Sequence, residues 1–334
     1  MEKKTATRKS APRKSAQTAL ASVVAGVAGI LLAVWILYGT VTIDPFRWGV
    51  FAEEIIVALC ALFALRLLCV IRLPKWLSLV CILLLPTAIV LYGATALPGD
   101  FASWIRVACV AAAAAFALLT AQQLDTKPDG VLLTALLIGV CLPVVLSAHT
   151  RLLDELARAL LMSGMFMCAL AVRQKSSWLA FLASAAFALA GASSLSAAFA
   201  GLGAGVGALL LAPKRKRGGW VFAAVLMASL PVAVRFVAGA LLPQGSPLFL
   251  AGEAPAAEFA LVIQTHLLRA LAVGLLAMAA RYFLSREDAA IPLVLALAGC
   301  AVSRLLPFSL APEIWMDAFP LSILAGVGVA KAAR

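Results

Sequence analysis

Charged residues are scarce in this chain. Only 13% of its 334 residues are Asp, Glu, Lys or Arg, whereas 64% are hydrophobic. Soluble domains carry about a quarter charged residues and roughly 45–50% apolar ones, because a surface in water needs polar cover. The shortage of charge excludes a water-soluble globular protein of this size. A lipid bilayer removes the need for polar cover and is the expected solvent.

Metal ligands and disulfide patterns are also missing. The chain has two histidines and seven cysteines; each cysteine lies in an apolar run, and no two form a Cys-x-x-Cys pair. A disulfide framework or a zinc site needs spaced pairs of ligands in loops. We therefore expect no metal and no cofactor, and we interpret the cysteines as small buried apolar residues.

Apolar runs of membrane-spanning length fill most of the chain. A span needs about 20 residues, and the two short runs 177–190 and 316–330 leave ten to twelve spans. We predict an all-α, polytopic transmembrane helix bundle of about 12 spans over residues 19–330, preceded by a disordered basic tail over 1–18. The twelve runs are 19–38, 51–71, 77–96, 104–120, 131–148, 156–172, 177–190, 195–212, 220–242, 260–280, 290–306 and 316–330.

The positive charges are distributed as a topology signal. Nineteen of the 27 basic residues, including every lysine, lie in the tail and in alternate turns between runs. Cytoplasmic loops carry such an excess, so we predict a multi-pass protein of the cell membrane with both termini cytoplasmic. Because this pattern accounts for the net charge of +12, it argues against nucleic acid as a partner.

The eight remaining basic residues are all arginines, and they are the main functional signal. A charge at mid-bilayer costs about 2.5–3.5 kcal/mol and persists where a carboxylate, water or an anionic ligand offsets it. Arg269 lies near the middle of its run. The eight are Arg47, Arg66, Arg106, Arg151, Arg158, Arg235, Arg269 and Arg304.

Two clusters contain arginines of this set. Glu258, Thr265 and Arg269 share one stripe at helical spacing, with His266 beside it; the stripe is either the wall of an outward-facing cavity or an internal hydrogen-bonded network. In the second cluster, the spacing pairs Arg151 with Glu155 and Asp154 with Arg158, each four residues apart. That cluster either neutralises itself or lines a cavity.

Two further segments have competing interpretations. Asp44, in the first outer loop, is either an ordinary Asp-Pro turn residue or a general base. The segment Gly201–Gly207 lacks the Gly-Lys-Ser/Thr ending of a phosphate-binding loop. Its two overlapping Gly-xxx-Gly pairs predict close helix packing instead.

The outer arginines and carboxylates suit a phosphate ligand. Arginine binds phosphate through a planar fork of donors, so a polyprenyl-phosphate headgroup fits an arginine-lined cavity open to the outer leaflet. The layout, with an acid in the first outer loop and a last segment reading Asp317-Ala-Phe-Pro-Leu to Ala325-Gly-Val-Gly, resembles the multi-spanning GT-C glycosyltransferases. The resemblance implies catalysis at Asp44 and a lipid-linked sugar as substrate.

Three functions are therefore open. The first is glycosyl transfer from a polyprenyl-phosphate-linked sugar in cell-envelope assembly, with membrane lipids as partners. The second is a transporter or lipid flippase without covalent chemistry, and the third is a structural or assembly subunit. The candidate substrate-binding residues are Arg269, Arg235, His266, Thr265, Glu258, Arg304, Arg106 and Arg47.

Overall fold

The computed structural model describes residues 73–96, 101–125, 127–147, 152–213, 217–241, 290–305 and 318–332, together with Val23 and Val27. These residues are almost entirely helical, and no strand occurs among them. The all-α class predicted from the sequence is confirmed for this part of the chain. The basic tail 1–18, the run 51–71, the run 260–280 and nearly all of 19–38 lie outside the described residues.

The helices in this part of the chain fall on nine of the twelve apolar runs, each within a few residues of its predicted limits. Chain order is Trp76–Ala96 (α1), Phe101–Leu124 (α2), Pro128–Ser147 (α3), Leu152–Gln174 (α4), Ser177–Ser193 (α5), Leu195–Leu210 (α6), Arg217–Leu241 (α7), Ile291–Leu305 (α8) and Ala318–Ala332 (α9).

Four segments are long and apolar enough to cross a membrane: Trp76–Ala94, Ser103–Leu124, Glu155–Gln174 and Arg217–Leu241. The other helices have shorter apolar segments. At 1.5 Å per residue, α5 and α6 are each about 25 Å long, slightly less than the hydrocarbon core of about 30 Å. The described chain therefore holds four candidate spans, and the total of about twelve stays a prediction.

Three pairs of consecutive helices, α1 with α2, α4 with α5 and α5 with α6, pack in antiparallel fashion. The extra methyl of an alanine at Gly93 of α1 would overlap Val107 of α2, and one at Gly164 of α4 would lie 3.2 Å from the Phe187 ring of α5. A single non-helical residue, Ser194, separates α5 from α6, and its hydroxyl caps α6 by accepting from Ala197 N at 3.2 Å. Capping satisfies one of the free amides of a helix start. Short connections thus fold the chain back on itself.

The glycines of α6 allow two other helices to approach its backbone closely. Gly205 lies against Ala228 of α7, where an added methyl would be 2.5 Å from the Ala228 nitrogen, and Gly201 also faces α7. Gly203 and Gly207 face α8 instead; a methyl on Gly203 would overlap the Leu295 carbonyl. The two overlapping Gly-xxx-Gly pairs therefore serve different neighbours, which confirms the packing interpretation.

Cationic side chains join the ends of α2, α4 and α9. Lys331, in the last turn of α9, donates from Nζ to the Leu124 carbonyl at 2.8 Å. Arg173, in the last turn of α4, donates from Nη1 to Gln123 Oε1 at 3.0 Å. The last carbonyls of a helix lack partners inside it, and cations there oppose the negative end of the helix dipole. We call this end of the bundle the basic end.

Other helices begin at the basic end. The start of α7 lies beside the start of α5, where a methyl on Gly219 would be 3.6 Å from Ser177 Oγ. Gly207 near the end of α6 meets Pro292 at the start of α8. The opposite end of the bundle therefore contains the starts of α2, α4, α6 and α9, together with the last turns of α1, α3, α5, α7 and α8.

Candidate functional site

Most of the candidate residues from the sequence lie outside the described part of the chain. Arg106 and Arg235 are described with their side chains, whereas Arg304 is described only by its place in α8. The stripe around Arg269 is outside, and so is the first outer loop. The candidates outside the described residues are Asp44, Arg47, Glu258, Thr265, His266 and Arg269.

An ion pair is buried near the start of α4. Arg158 donates from Nη1 to Glu155 Oε2, and their side chains are only 1% and 0% exposed. The pair joins residues that are three apart in the sequence. The prediction from four-residue spacing had instead paired Arg158 with Asp154. Removing one member of a buried pair leaves a charge in an apolar surrounding, which is far more costly than losing a surface pair. Glu155 therefore stabilises the burial of Arg158.

The Arg158 guanidinium is held on a second side by α9. Its Cζ atom lies 5.9 Å from the centroid of the Phe319 ring, within the range of a cation–π interaction. Its Nε is buried and has no hydrogen-bond partner among the described residues. The group is thus fixed in orientation by Glu155 and Phe319, yet it retains one unused donor.

Arg106 lies at the level of this pair, on the neighbouring helix α2. The Arg173–Gln123 bond and the contact of the Phe116 and Phe166 rings both join residues 50 apart. The helices α2 and α4 therefore run in the same direction, which places Arg106 opposite Leu156. One turn along α2, Cys109 is near enough to Glu155 to interact electrostatically. Arg106 itself is half-buried, and its Nε is buried without a partner in the described part of the chain. Two arginines with unused donors therefore sit at one level of the bundle.

Arg235 has a structural partner in the hairpin of α5 and α6. Its Nη1 donates to the carbonyls of Ala192 and Ser193, at 3.0 and 3.4 Å. These carbonyls belong to the last turn of α5, where no intrahelical donor is available. The guanidinium also opposes the negative end of the α5 dipole. Capping α5 accounts for Arg235 without a ligand.

The helix register brings four arginines to one level. The helices α4 and α5 are antiparallel, and Gly164 of α4 lies opposite Phe187 of α5. This register places Arg158 opposite the last residues of α5, which Arg235 caps. Cys300 Sγ lies 3.5 Å from the carbonyl of Ser196 in α6, so the backbone of residue 304 is one turn further, beside the start of α6. We call Arg106, Arg158, Arg235 and Arg304 the arginine layer. It lies near the end of the bundle opposite the basic end.

The sequence pattern did not predict the burial or the hydrogen-bond partners of these arginines. It indicated the Glu155–Arg158 cluster and selected Arg106, Arg235 and Arg304, but spacing alone does not show which charges are buried. The cap made by Arg235 joins residues 43 apart, and no local signal predicts such a contact. The limits of the apolar runs placed these arginines near helix ends on the same side of the predicted bundle. That placement was the feature of the sequence that indicated the arginine layer.

The chain has no significant match among protein-family models, curated proteins or solved structures. Its described residues define a class of protein. They form an all-helical bundle that contains four helices able to cross a membrane by length and composition. A buried ion pair and partly unpartnered arginines lie near the end opposite the basic end.

Proposed function

We propose that the protein is a multi-pass protein of the cell membrane, with both termini cytoplasmic, that binds a polyprenyl-phosphate-linked sugar and transfers its glycosyl group in cell-envelope assembly. In this orientation the basic end faces the cytoplasm and the arginine layer lies toward the outer leaflet. The ligand's phosphate binds at the arginine layer, and its polyprenyl chain stays among the apolar helices.

The exposed cations support this orientation. Lys75, Lys127, Arg173, Lys175 and Arg217 are all exposed and belong to helix ends or turns at the basic end. The positive-inside rule assigns such residues to the cytoplasmic side. The arginines of the opposite end are half-buried or buried where their side chains are described, which sets them apart from a topology signal.

The observation that carries the proposal is the pair of unused buried donors. Arg106 and Arg158 each have a buried Nε with no partner among the described residues. Among the side chains that the structure describes at this level, Glu155 supplies the one carboxylate, against the guanidinium groups of Arg106, Arg158 and Arg235. An unsatisfied buried donor costs about 1–3 kcal/mol, and more for a charged group. A phosphate would accept these hydrogen bonds and balance the remaining charge.

Glycosyl transfer would use the positive charge of the arginine layer. The oxygen of an acceptor hydroxyl attacks the anomeric carbon of the sugar, and the bond from that carbon to the phosphate oxygen breaks. The leaving polyprenyl phosphate gains negative charge, which arginine donors stabilise as it develops. The hydroxyl proton passes to a general base, the role we assign to Asp44. Asp44 lies outside the described residues, so this role comes from the sequence.

Native mass spectrometry tests the binding step. Purified wild-type protein is compared with Arg106→Ala and Arg269→Ala for retained polyprenyl phosphate. The control is Arg173→Ala, which removes an arginine at the basic end. We expect the wild type and the control to retain the lipid and the other two variants to lose about tenfold or more of it, because hydrogen bonds to charged groups are strong. Bulk phospholipid alone in every sample would contradict the proposal.

A transporter or lipid flippase is the second candidate, because arginines that are buried or half-buried within a helical bundle mark substrate pathways as well as catalytic sites. A flippase would retain the same lipid but move it without cleaving the sugar. Release of free polyprenyl phosphate in the presence of an acceptor therefore separates the two candidates.

A further inference from the structure

A patch of exposed cations and aromatic rings lies at the basic end, where α5 and α7 start side by side. Lys175 and Arg217 are exposed, Trp178 is 69% exposed and Phe222 is 57% exposed. The ring of Phe222 packs against Phe181 of α5 with centroids 5.6 Å apart, which ties the two helices together there. We call Lys175, Trp178, Arg217 and Phe222 the α5–α7 patch.

The two cations of the patch occupy positions that their own helices disfavour. Lys175 precedes α5, and Arg217 is the first residue of α7, so both lie at the positive ends of helix dipoles. No acidic residue occurs in the first turn of either helix. Lys175 also has a positive φ of 53°, a region that residues other than glycine rarely adopt. Helix formation therefore does not explain why cations stand here.

Open space lies over the first turn of α7. A methyl group on Gly218 would meet nothing within 4 Å, and one on Gly219 would meet only Ser177, at 3.6 Å from its Oγ. Both glycines are exposed. The first turn of α7 is thus an exposed backbone surface that begins at Arg217 and lies beside the start of α5, which Lys175 precedes.

We propose that the α5–α7 patch binds the headgroup of an anionic phospholipid in the cytoplasmic leaflet. The phosphate lies over Gly218 and Gly219, near the two cations Lys175 and Arg217. The ring of Trp178 rests at the membrane interface, the depth that tryptophan side chains prefer, and Phe222 of α7 packs against α5 beside it. Basic pockets between helices on the cytoplasmic side are suited to anionic headgroups. This site is separate from the arginine layer. It rests on the proposed orientation of the bundle but not on the proposed glycosyl transfer.

Lipid titration of delipidated protein tests the proposal. Phosphatidylglycerol and phosphatidylcholine with identical acyl chains compete for binding, measured by native mass spectrometry at near-physiological ionic strength. We expect the wild type to prefer phosphatidylglycerol and the double variant Lys175→Gln/Arg217→Gln to lose that preference, about fivefold for each cation removed. Arg217→Lys, which keeps the charge, should retain most of the preference.

Two controls make the outcome decisive. Lys127→Gln removes another exposed lysine of the basic end, one that has the acidic residues Asp125 and Asp129 as neighbours in sequence. It should leave the preference unchanged, as should Lys75→Gln, which removes a further exposed lysine of the basic end. An equal loss in Lys127→Gln would show a general surface-charge effect and overturn the proposal. An unchanged preference in the double variant would also overturn it, and would leave an acidic protein or a second copy of the chain as the occupant.

Discussion

Single residues decide the electrostatics of the arginine layer. Arg158 is buried because Glu155 and Phe319 hold its guanidinium, whereas Arg235 is stabilised by the free carbonyls at the end of α5. Arg106 has neither kind of partner among the described residues. Three arginines that look alike in the sequence therefore have different environments. The one with the fewest described partners, Arg106, is the best single position at which to test anion binding.

Glu155→Gln should destabilise the protein by about 3–5 kcal/mol, because it leaves Arg158 as an unpaired buried charge. Thermal unfolding in detergent measures the loss. The double variant Glu155→Gln/Arg158→Met removes both charges and should recover most of it, since an apolar replacement of a buried pair is often nearly neutral. Equal stability of Glu155→Gln and the wild type would show that the pair does not stabilise the fold.

Asp44→Asn should abolish glycosyl transfer while leaving lipid retention intact. The amide keeps the shape of the side chain but cannot accept the acceptor's proton, and general-base catalysis contributes about 10²–10⁴-fold. Turnover is measured with a polyprenyl-phosphate-linked sugar, and retention by native mass spectrometry. Wild-type turnover in this variant would exclude the proposed catalytic role of Asp44 and favour the transporter.

At the scale of helices, small residues determine which elements can approach one another. α6 presents Gly203 and Gly207 to α8 and the other pair of glycines to α7. In lipid, apolar area alone does not drive helices together, so association depends on close packing and hydrogen bonds. The glycine positions therefore set the distances on two sides of α6.

Gly203→Ala should destabilise the bundle by about 1–3 kcal/mol, because its methyl group would overlap the Leu295 carbonyl and force α6 and α8 apart. The matched control is Gly139→Ala in α3, where an added methyl meets nothing within 4 Å. Alanine favours a helix over glycine by up to about 1 kcal/mol, so the control should be neutral or stabilising. Thermal unfolding of both variants in detergent compares them, and the opposite order would contradict the observed packing.

For the whole molecule, the two ends differ in their charges and in how those charges are used. At the basic end, many cations are exposed, while Lys331 and Arg173 cap α2. At the opposite end, the arginines with described side chains turn into the bundle. Because exposed cations favour the cytoplasmic side, this difference supports one orientation of the whole bundle.

Reporter fusions test that orientation. A fluorescent protein that folds only in the cytoplasm should be bright when fused after Lys127, after Lys175 or at the C-terminus. Alkaline phosphatase, which needs the outer side, should be active when fused near residue 100 or residue 150. Strong phosphatase activity after Lys175 would reverse the orientation, and the arginine layer would then lie at the inner leaflet.

The periodicity and length of the apolar runs were enough to predict nine helices in the part of the chain that the structure describes. Each helix satisfies its own backbone hydrogen bonds, as an apolar solvent requires, so local hydrophobicity determines where it lies. The prediction of Gly201–Gly207 as a packing segment was also confirmed, because its spacing is a property of the local sequence. Basic residues in alternate turns likewise indicated which helix ends belong together.

Only the tertiary structure decided how the charged residues are partnered. Arg235 reaches carbonyls of α5, Lys331 reaches a carbonyl 207 residues away in the sequence, and Arg158 meets Phe319 from another helix. Such contacts depend on which helices are neighbours and on their register, neither of which is encoded within a single apolar run. The sequence by itself determined that the described chain is helical, with helices apolar enough to cross a membrane and arginines near their ends. The packing of the helices decided which of those arginines are structural and which have donors left for a ligand.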